Sequence, residues 1–440
     1  MGAFLSALRR NQRLVFTPVV AKHDGALKIG ILGAADIAPI ALVNPARSNP
    51  NVVVYAVAAR DKSRAAAFAK KHGIPHVKDS YDDLLNDPNI DAVYNPLPNG
   101  LHFEWTHKAL AKGKHVLLEK PLTSNAEEAE ALFNCELLSA SRSANSGQGQ
   151  AQPLILLEAF HSRFSPAFAL FRTLLDQPNI EHVFASLYAP AFLFGSDNIR
   201  FQYDLGGGAA MDVGTYTIAA LREAFGAEPT ECMLADLERM PPPLDQCDVN
   251  FHAQLRFPNG GIGEVKGGLK GPRGLWPVEF PLIQVTHRPV AVAAADCHGL
   301  NGVSERDEVT KKRTVTFVNF ILSPHYHRIE VEDEYVISSP ASTGDGSRTD
   351  GTRTRRVLIK KETRKAYSWK EMGRDLPGEP WLSTYGYMLQ EFVDKIQGRE
   401  GTGVWISGED SIAQMKAIDM VYEKSGLGVR PTSVYRAKVV

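Results

Sequence analysis

An α/β domain with a parallel sheet, followed by an α+β domain with a large, mostly antiparallel sheet, is the architecture this sequence predicts. Three observations predict it. From Lys28 to about Phe160, short continuous apolar runs alternate with helical patterns, as strands buried on both faces and joined by helices do. After Phe160, strand patterns follow one another, several alternating apolar with polar, which suits an antiparallel sheet with one wet face. At 440 residues the chain exceeds what one core usually holds, so two domains are the default.

The elements follow in order. The opening "MGAFLSALRRNQRLVF" has three Arg and no acid. It reads as an arm (1–26) packing on its own chain or a partner subunit, as a transit peptide, or, through Gly2 and Ser6, as an acylation signal. "KIGIL" (Lys28 to Leu32) is a strand ending at Gly33, and a helical pattern runs from Asp36 to about Ser48. "VVVYAVAA" is a buried strand, and "DKSRAAAFAKKHG" a helix stopped by Gly73. "DAVYNPL", "LHFEWTHKALAKG" and "KHVLLEKP" repeat the strand, helix, strand order. "TSNAEEAEALFNCELL" is a helix with Ser124 and Asn125 as capping candidates, and "LILLEAF" is the last strand of a first domain over 27–160. The small, polar stretch 139–152 before it reads as a solvated loop.

The second domain (161–426) carries strand patterns at "EHVFASLYA", "ECMLADLE", "DVNFHAQLRF", "GIGEVKGGL", "PLIQVTHR", "RTVTFVNFIL", "HRIEVEDEYVI" and "RRVLIKK". A second loop is expected at 339–355, two helices at "LSTYGYMLQEFVDKIQG" and "EDSIAQMKAIDMVYEKSG", and a tail at 427–440.

Composition narrows the function classes. Lys and Arg total 49 against 50 for Asp and Glu, a balance that argues against nucleic-acid binding. No apolar run approaches the ~20 residues a membrane span needs. Cys135, Cys232, Cys247 and Cys297 are widely spaced with no Cys-x-x-Cys, so reduced thiols in the cytoplasm are expected, with mitochondrial targeting left open. His325 and His327 lack an apparent third ligand, and no metal site is expected.

"GILGAADIA" joins the first strand to its helix. Gly33, Ala35 and Ala38 stand where a G-x-G-x-x-G/A dinucleotide fingerprint would, within the turn Gly33, Ala34, Ala35, Asp36, Ile37. Ala35 departs at the second position, and its methyl fits only if the turn opens slightly. At the end of the second strand an NAD site usually has an acid for the ribose. Arg60 stands close to that place, followed by Lys62 and Arg64. Cations there favour the 2′-phosphate of NADP over NAD. "VYNPLPNGLH" brings Pro96, Leu97, Pro98, Asn99 and His102, and "LLEKPL" brings Glu119, Lys120 and Pro121, to the carboxyl edge of the sheet where ligands bind. In "GGGAAMDVGTYTI", Asp212 and Tyr216 fall at i and i+4 of a helix. They are either an acid/base pair or part of an ordinary core helix.

"GILGAADIA", "YNPLPNGLHFEWTHKALAKGKHVLLEKPL", "EAFHSRFSP" and "GGGAAMDVGTYTI", in this order and spacing, resemble the Gfo/Idh/MocA oxidoreductase family over about Leu27 to Gly426. The resemblance implies a Rossmann domain followed by a domain on a large, mostly antiparallel sheet, through which members form homodimers or homotetramers. It places the family's catalytic lysine at Lys120 and implies a cis bond between Lys120 and Pro121. Tyr216 replaces the His of the inositol dehydrogenase branch. That is similar to the branch holding glucose–fructose oxidoreductase, NADP-dependent D-xylose dehydrogenases and dimeric dihydrodiol dehydrogenases, where the Tyr is the usual acid/base.

The expected roles are Tyr216 as general base for oxidation, Lys120 as its electrostatic partner, and Asp212 as support for the substrate or for Lys120. An ammonium and a cationic nicotinamide near Tyr216 are expected to lower the phenol's pKa. His161 and Arg163 follow the last Rossmann strand and are expected to face the cleft as substrate-binding residues. For Arg163 a domain-linking ion pair is the alternative, as for Arg200. Asn99 and His102 contact nicotinamide or substrate, unless Asn99 caps a helix. The expected function is NADP-dependent hydride transfer with a polyhydroxylated small molecule, an aldose such as xylose or glucose reacting at C1. The alternatives are a trans-dihydrodiol dehydrogenase, a sugar–sugar oxidoreductase holding NADP tightly, and a non-catalytic dinucleotide-binding regulator.

Overall fold

The structure, a computed structural model, describes residues 2–139, 153–271, 280–297, 300, 303–340 and 354–435. The expected loops at 139–152 and 339–355 fall almost wholly outside the described residues.

Six strands make the first sheet: β1 (Leu27–Leu32), β2 (Val52–Ala58), β3 (His76–Val77), β4 (Ala92–Asn95), β5 (His115–Leu118) and β6 (Leu156–Glu158). All pair in parallel, in the order β3-β2-β1-β4-β5-β6. The chain leaves β1 toward one side for β2 and returns to its other side for β4. The strand order therefore reverses between them and a crevice opens at their carboxyl ends.

The pattern expected from Asp36 to Ser48 is wound more widely than an α-helix. A π-helical turn covers Pro39–Val43, with the Asn44 N–H donating to Pro39 O, before α1 (Asn44–Ser48). Pro45 has no N–H to give to the preceding turn, which disfavours tight α winding there. Asp61 caps α2 (Lys62–His72), which Gly73 ends at φ 72°. The short β3 and α3 (Tyr81–Asn86) have no periodic signal in the sequence. α4 (His102–Ala111) joins β4 to β5, and Asn125, rather than Ser124, caps α5 (Ala126–Phe133).

The second sheet has nine strands among the described residues: β7 (Ile180–Tyr188), β8 (Glu231–Arg239), β9 (Asp248–Arg256), β10 (Ile262–Gly268), β11 (Leu282–His287), β12 (Val290–Val292), β13 (Glu308–Val318), β14 (Arg328–Ser339) and β15 (Thr354–Arg364). Its order is β15-β14-β13-β11-β7-β10-β9-β8, with β12 beside β13. Only β7 with β10 is parallel among these pairings. One face buries Val183, Ala185, Val265, Ile283, Val315 and Phe317 completely, each worth roughly 1.5–3 kcal/mol except the smaller Ala. α6 (Thr215–Phe225) lies along that face over β7 and β10, α8 (Gly408–Ser425) packs against β8 and α6, and α7 (Thr384–Ile396) packs against the turn His161–Phe164.

One hydrophobic core runs from Ile29 in the first sheet to Tyr422 in α8. The chain's ends reinforce the junction. In the N-terminal helix Gly2–Val15, Arg10 Nε donates to Pro324 O (3.0 Å) and Asn11 to His325 O (3.1 Å), so the arm packs on its own chain. At the other end, Asn125 Nδ2 donates to Arg430 O (2.9 Å), and the buried Arg430 guanidinium donates to Gly207 O (3.1 Å). No helix among the described residues is long and apolar enough to cross a membrane.

Candidate functional site

A cavity of about 940 Å³ occupies the crevice and reaches from the turn after β1 to the start of α6. Gly33, Ala34, Ala35, Asp36 and Ile37 form its floor. Gly33 sits at φ 91° with its N–H on Ala58 O (2.7 Å), and a Cβ there would come within 3.1 Å of Leu97. Only glycine is comfortable at that φ. Ala38 is fully buried where helix and strand meet. At one end stand Arg60, Asp61, Arg64 and Tyr81. Asp61 is already committed to α2, its Oδ1 accepting from Ser63 N (2.8 Å), Ser63 Oγ (2.6 Å) and Arg64 N (3.3 Å). The two arginines are left as the charges facing the cavity, so these residues fit a phosphorylated dinucleotide. Lys62 is not with them: it pairs with Asp79 on the exposed surface, outside the cavity wall.

The other end holds Lys120, Arg200, Asp212, Tyr216 and Tyr385. β5 delivers Lys120. The buried Glu119 carboxylate accepts from Tyr94 Oη (2.7 Å), which pins the strand end, and the Lys120–Pro121 bond is cis. Gly206 to Gly208 deliver Asp212 and Tyr216. Gly208 has φ 138°, and a Cβ on it would collide with the Asp248 carboxylate and Tyr422 phenol. Asp248 in turn accepts from Ala210 N (2.7 Å) and Tyr422 Oη (2.8 Å). It thereby anchors a π-helical turn, Ala210–Gly214, that leads into α6. Asp212 and Tyr216 therefore do not share a regular α-helical face, yet both reach the cavity.

Lys120 Nζ donates to Asp212 Oδ1 (3.0 Å) and to Asp212 O (2.8 Å), while Arg200 Nε donates to Oδ2 (2.6 Å). Burial opposes ionisation of Asp212, but these two cations outweigh it and hold its pKa well below the usual carboxylate range. Arg200 thus lines the cavity and is ion-paired within the second domain, not across the two domains. Lys120 Nζ lies 4.7 Å from the centre of the Tyr216 ring. The expected lowering of the Tyr216 pKa is corrected: burial, then the neighbouring Tyr385 and the charges of Glu119 and Asp212, push it well above 10. Asp212 absorbs much of the field of Lys120, and desolvation penalises phenolate.

The match to known proteins decides the kinship. Residues 27–138 match a family described as "Oxidoreductase family, NAD-binding Rossmann fold", and residues 179–276 match the "GFO/IDH/MocA C-terminal domain". A dTDP-3,4-didehydro-2,6-dideoxy-alpha-D-glucose 3-reductase of Streptomyces antibioticus is 35% identical over 247 residues, 56% of this chain and 70% of the relative. The chain belongs to the Gfo/Idh/MocA oxidoreductase family.

Within that family, D-xylose 1-dehydrogenase (NADP(+)) 2 of Haloferax volcanii is 40% identical over 210 residues, 46% of this chain. The chain spans 58% of that relative's length. A crystal structure of a 3-ketoreductase from Actinomadura kijaniata in complex with NADP and TDP-benzene shares the fold, with a TM-score of 0.62, 24% identity and coverage of 91% of this chain and 98% of that one.

Two residues expected in the cleft of this Gfo/Idh/MocA chain are elsewhere. His161 is fully buried behind Tyr216: Nε2 is 3.0 Å from Tyr216 Oη, Nδ1 is 2.8 Å from Thr384 Oγ1, and the ring stacks on Tyr385 at 3.8 Å. Arg163 pairs with Glu223 and Asp410, an ion-pair cluster inside the second domain and not one that links the two domains. Asn99 lines the cavity and donates to Gly206 O (2.9 Å) instead of capping a helix. His102, on the wall, spans the carbonyls of Leu97 (2.7 Å) and Pro121 (2.9 Å), and burial lowers its pKa to about 4. Pro96, Leu97 and Glu119 line the cavity, whereas Pro121 is buried behind it. Sequence reasoning missed Tyr385, Thr384 and Tyr94. Their only signal was polar-tipped side chains within otherwise apolar patterns.

Proposed function

We propose that this chain is an NADP-dependent dehydrogenase acting on a sugar, with an aldose such as xylose reacting at C1. The observation that carries the reading is the triad of Lys120, Asp212 and Tyr216 at the end of the cavity opposite Arg60 and Arg64. A nicotinamide dinucleotide bound in this crevice would supply the hydride chemistry. The chain supplies the rest. Arg60 and Arg64 face a 2′-phosphate. Lys120, fixed by Asp212, directs an N–H toward a substrate oxygen. Tyr216 exchanges the proton that must accompany hydride transfer. The xylose dehydrogenase relative supports the substrate class, being itself named for NADP(+). Assembly of two or four copies through the large sheet, in the cytoplasm, goes with this reading.

The raised pKa of Tyr216 favours a second reading, reduction of a keto sugar. A neutral phenol is ready to donate a proton to a carbonyl, and a sugar 3-reductase is among the relatives. The test is absorbance of reduced nicotinamide across aldoses, polyols, dihydrodiols and keto sugars, with NADP(H) and NAD(H) in parallel. Turnover of an aldose with NADP supports the first reading, and turnover of ketones alone supports the second. Silence throughout with retained NADP binding points to a regulator. At least tenfold better efficiency with NAD overturns the cofactor choice.

A further inference from the structure

His161 lies outside the cavity wall, yet its Nε2 is within hydrogen-bonding distance of the Tyr216 oxygen, at 3.0 Å. Its two ring nitrogens face two hydroxyls, Tyr216 Oη at 3.0 Å and Thr384 Oγ1 at 2.8 Å. The imidazole is boxed in by the Tyr385 ring stacked on it and by the edge of Tyr216. Burial holds its pKa down to about 3, so it is neutral and carries one N–H. The tautomer therefore decides which way the Tyr216 proton points.

The place of Thr384 in the chain points to one of the two tautomers. It is the first residue of α7, after the cap Ser383. A threonine inside a helix donates to the carbonyl one turn back. At the first position no helical turn precedes it, so its O–H remains available for Nδ1. An Nδ1 that accepts leaves the proton on Nε2, which then donates to Tyr216 Oη.

We propose that Thr384 holds His161 as the Nε2–H tautomer and that His161 is thereby a positioning residue, turning the Tyr216 O–H away from itself and into the cleft. Tyr385, on the cavity wall, marks the side to which that O–H is turned. The inference rests on the acid/base role proposed for Tyr216. In the reducing direction the Tyr216 O–H bond breaks as its proton passes to the substrate oxygen, while the reduced nicotinamide named above accounts for the hydride. The phenolate that remains keeps the His161 N–H as donor and the Lys120 ammonium over its ring. A proton from water restores the phenol between turnovers. In the opposite tautomer Nε2 would accept a hydrogen bond from the Tyr216 O–H, which would then have to turn away from the imidazole before it could serve the substrate.

Two variants of the full chain separate this from packing. Thr384→Val keeps the shape and removes the hydroxyl, and Thr384→Ser keeps the hydroxyl and removes the methyl. With either reaction direction as assay, Thr384→Val is expected to lower kcat about tenfold with KM unchanged, as a lost hydrogen bond does. Thr384→Ser is expected to stay near wild type. A role in packing alone gives the reverse order, and normal kcat in Thr384→Val overturns the proposal. A readout without substrate or cofactor is the ¹⁵N spectrum of the histidine-labelled protein, assigned by difference from His161→Gln. A protonated Nε2 is expected, shifting toward Nδ1–H in Thr384→Val, and a protonated Nδ1 in the parent protein overturns the proposal. If Tyr216→Phe retains full turnover, the acid/base reading itself falls, whatever the tautomer.

Discussion

At Tyr216, burial and charge pull the phenol in opposite directions. Lys120 lies over the ring, but its ammonium is spent largely on Asp212, and desolvation prevails. The phenol is a proton donor at rest, and oxidation must take its proton away by some other route than a standing phenolate. Tyr216→Phe is expected to lower turnover at least ~10²-fold in both directions, the low end for general acid–base catalysis. At the other end of the cavity, Asp61 is occupied as a helix cap and Arg60 is free to meet a phosphate. Arg60→Ser is therefore expected to raise the KM for NADP about tenfold, the scale of one exposed charge-assisted hydrogen bond, and to leave that for NAD within twofold. Equal changes for both cofactors would remove the 2′-phosphate role. Lys120, Asp212 and Tyr216 were legible because strand ends and a glycine run mark where a site forms. His161 and Arg163 were legible as polar residues near it but not in their direction. Their partners, Thr384, Glu223 and Asp410, lie at least 60 residues further along the chain, roughly the distance at which no local pattern speaks.

The π turn Ala210–Gly214 shows what one element does for the site. Its start is fixed by Asp248 and Tyr422, which fill the space beside Gly208 that a side chain would need. Gly208→Ala is expected to destabilise the protein by roughly 2–4 kcal/mol, from positive φ and overpacking together. A denaturant midpoint measures it, and a midpoint unchanged from wild type would mean that the turn opens without cost. Turnover is expected to fall in the same variant, since the turn carries Asp212. Most strands were legible from their apolar or alternating runs, to within a residue at the ends of β7, β9 and β10, whereas the short β12 was not. The winding was not: π and α turns share nearly the same apolar spacing, and Pro39 and Pro45 were the only hint at the first of the two. β3 has two residues, too few for any period.

Across the whole molecule, buried titratable groups set opposing arms of a pH profile. Glu158, the last residue of β6, is fully buried, and neither carboxyl oxygen has a hydrogen-bond donor at bonding distance among the described residues. Burial raises its pKa from 4.5 to about 7, with the charges of Arg163 and Arg222 offsetting only part of that and Asp410 adding to it. A raised carboxyl pKa means stability that is complete below pH 4.5 and lost as pH rises toward 7. His102, His161 and His327 act the other way. Burial lowers them from 6.5 to about 4, 3 and 4, so their stability is complete above pH 6.5 and is lost as pH falls toward those values. From these groups thermal stability is therefore expected to fall with acid below pH 6.5, where three histidines outweigh one carboxyl, and to level off above pH 7, where both windows have been passed. Glu158→Gln separates the arms. It removes the buried charge while keeping the volume, so its melting temperature is expected to exceed wild type at pH 8, by at most ~3 kcal/mol of stability, and to converge with it below pH 4.5, where Glu158 is protonated in the folded and the unfolded chain alike. The acid arm, to which the three histidines and the ion-paired Asp212 contribute, is expected to stay unchanged. A variant less stable than wild type at pH 8 would mean that ionised Glu158 binds Arg163 and Arg222 more strongly than burial penalises it, and that the carboxylate is part of the ion-pair network behind Tyr216.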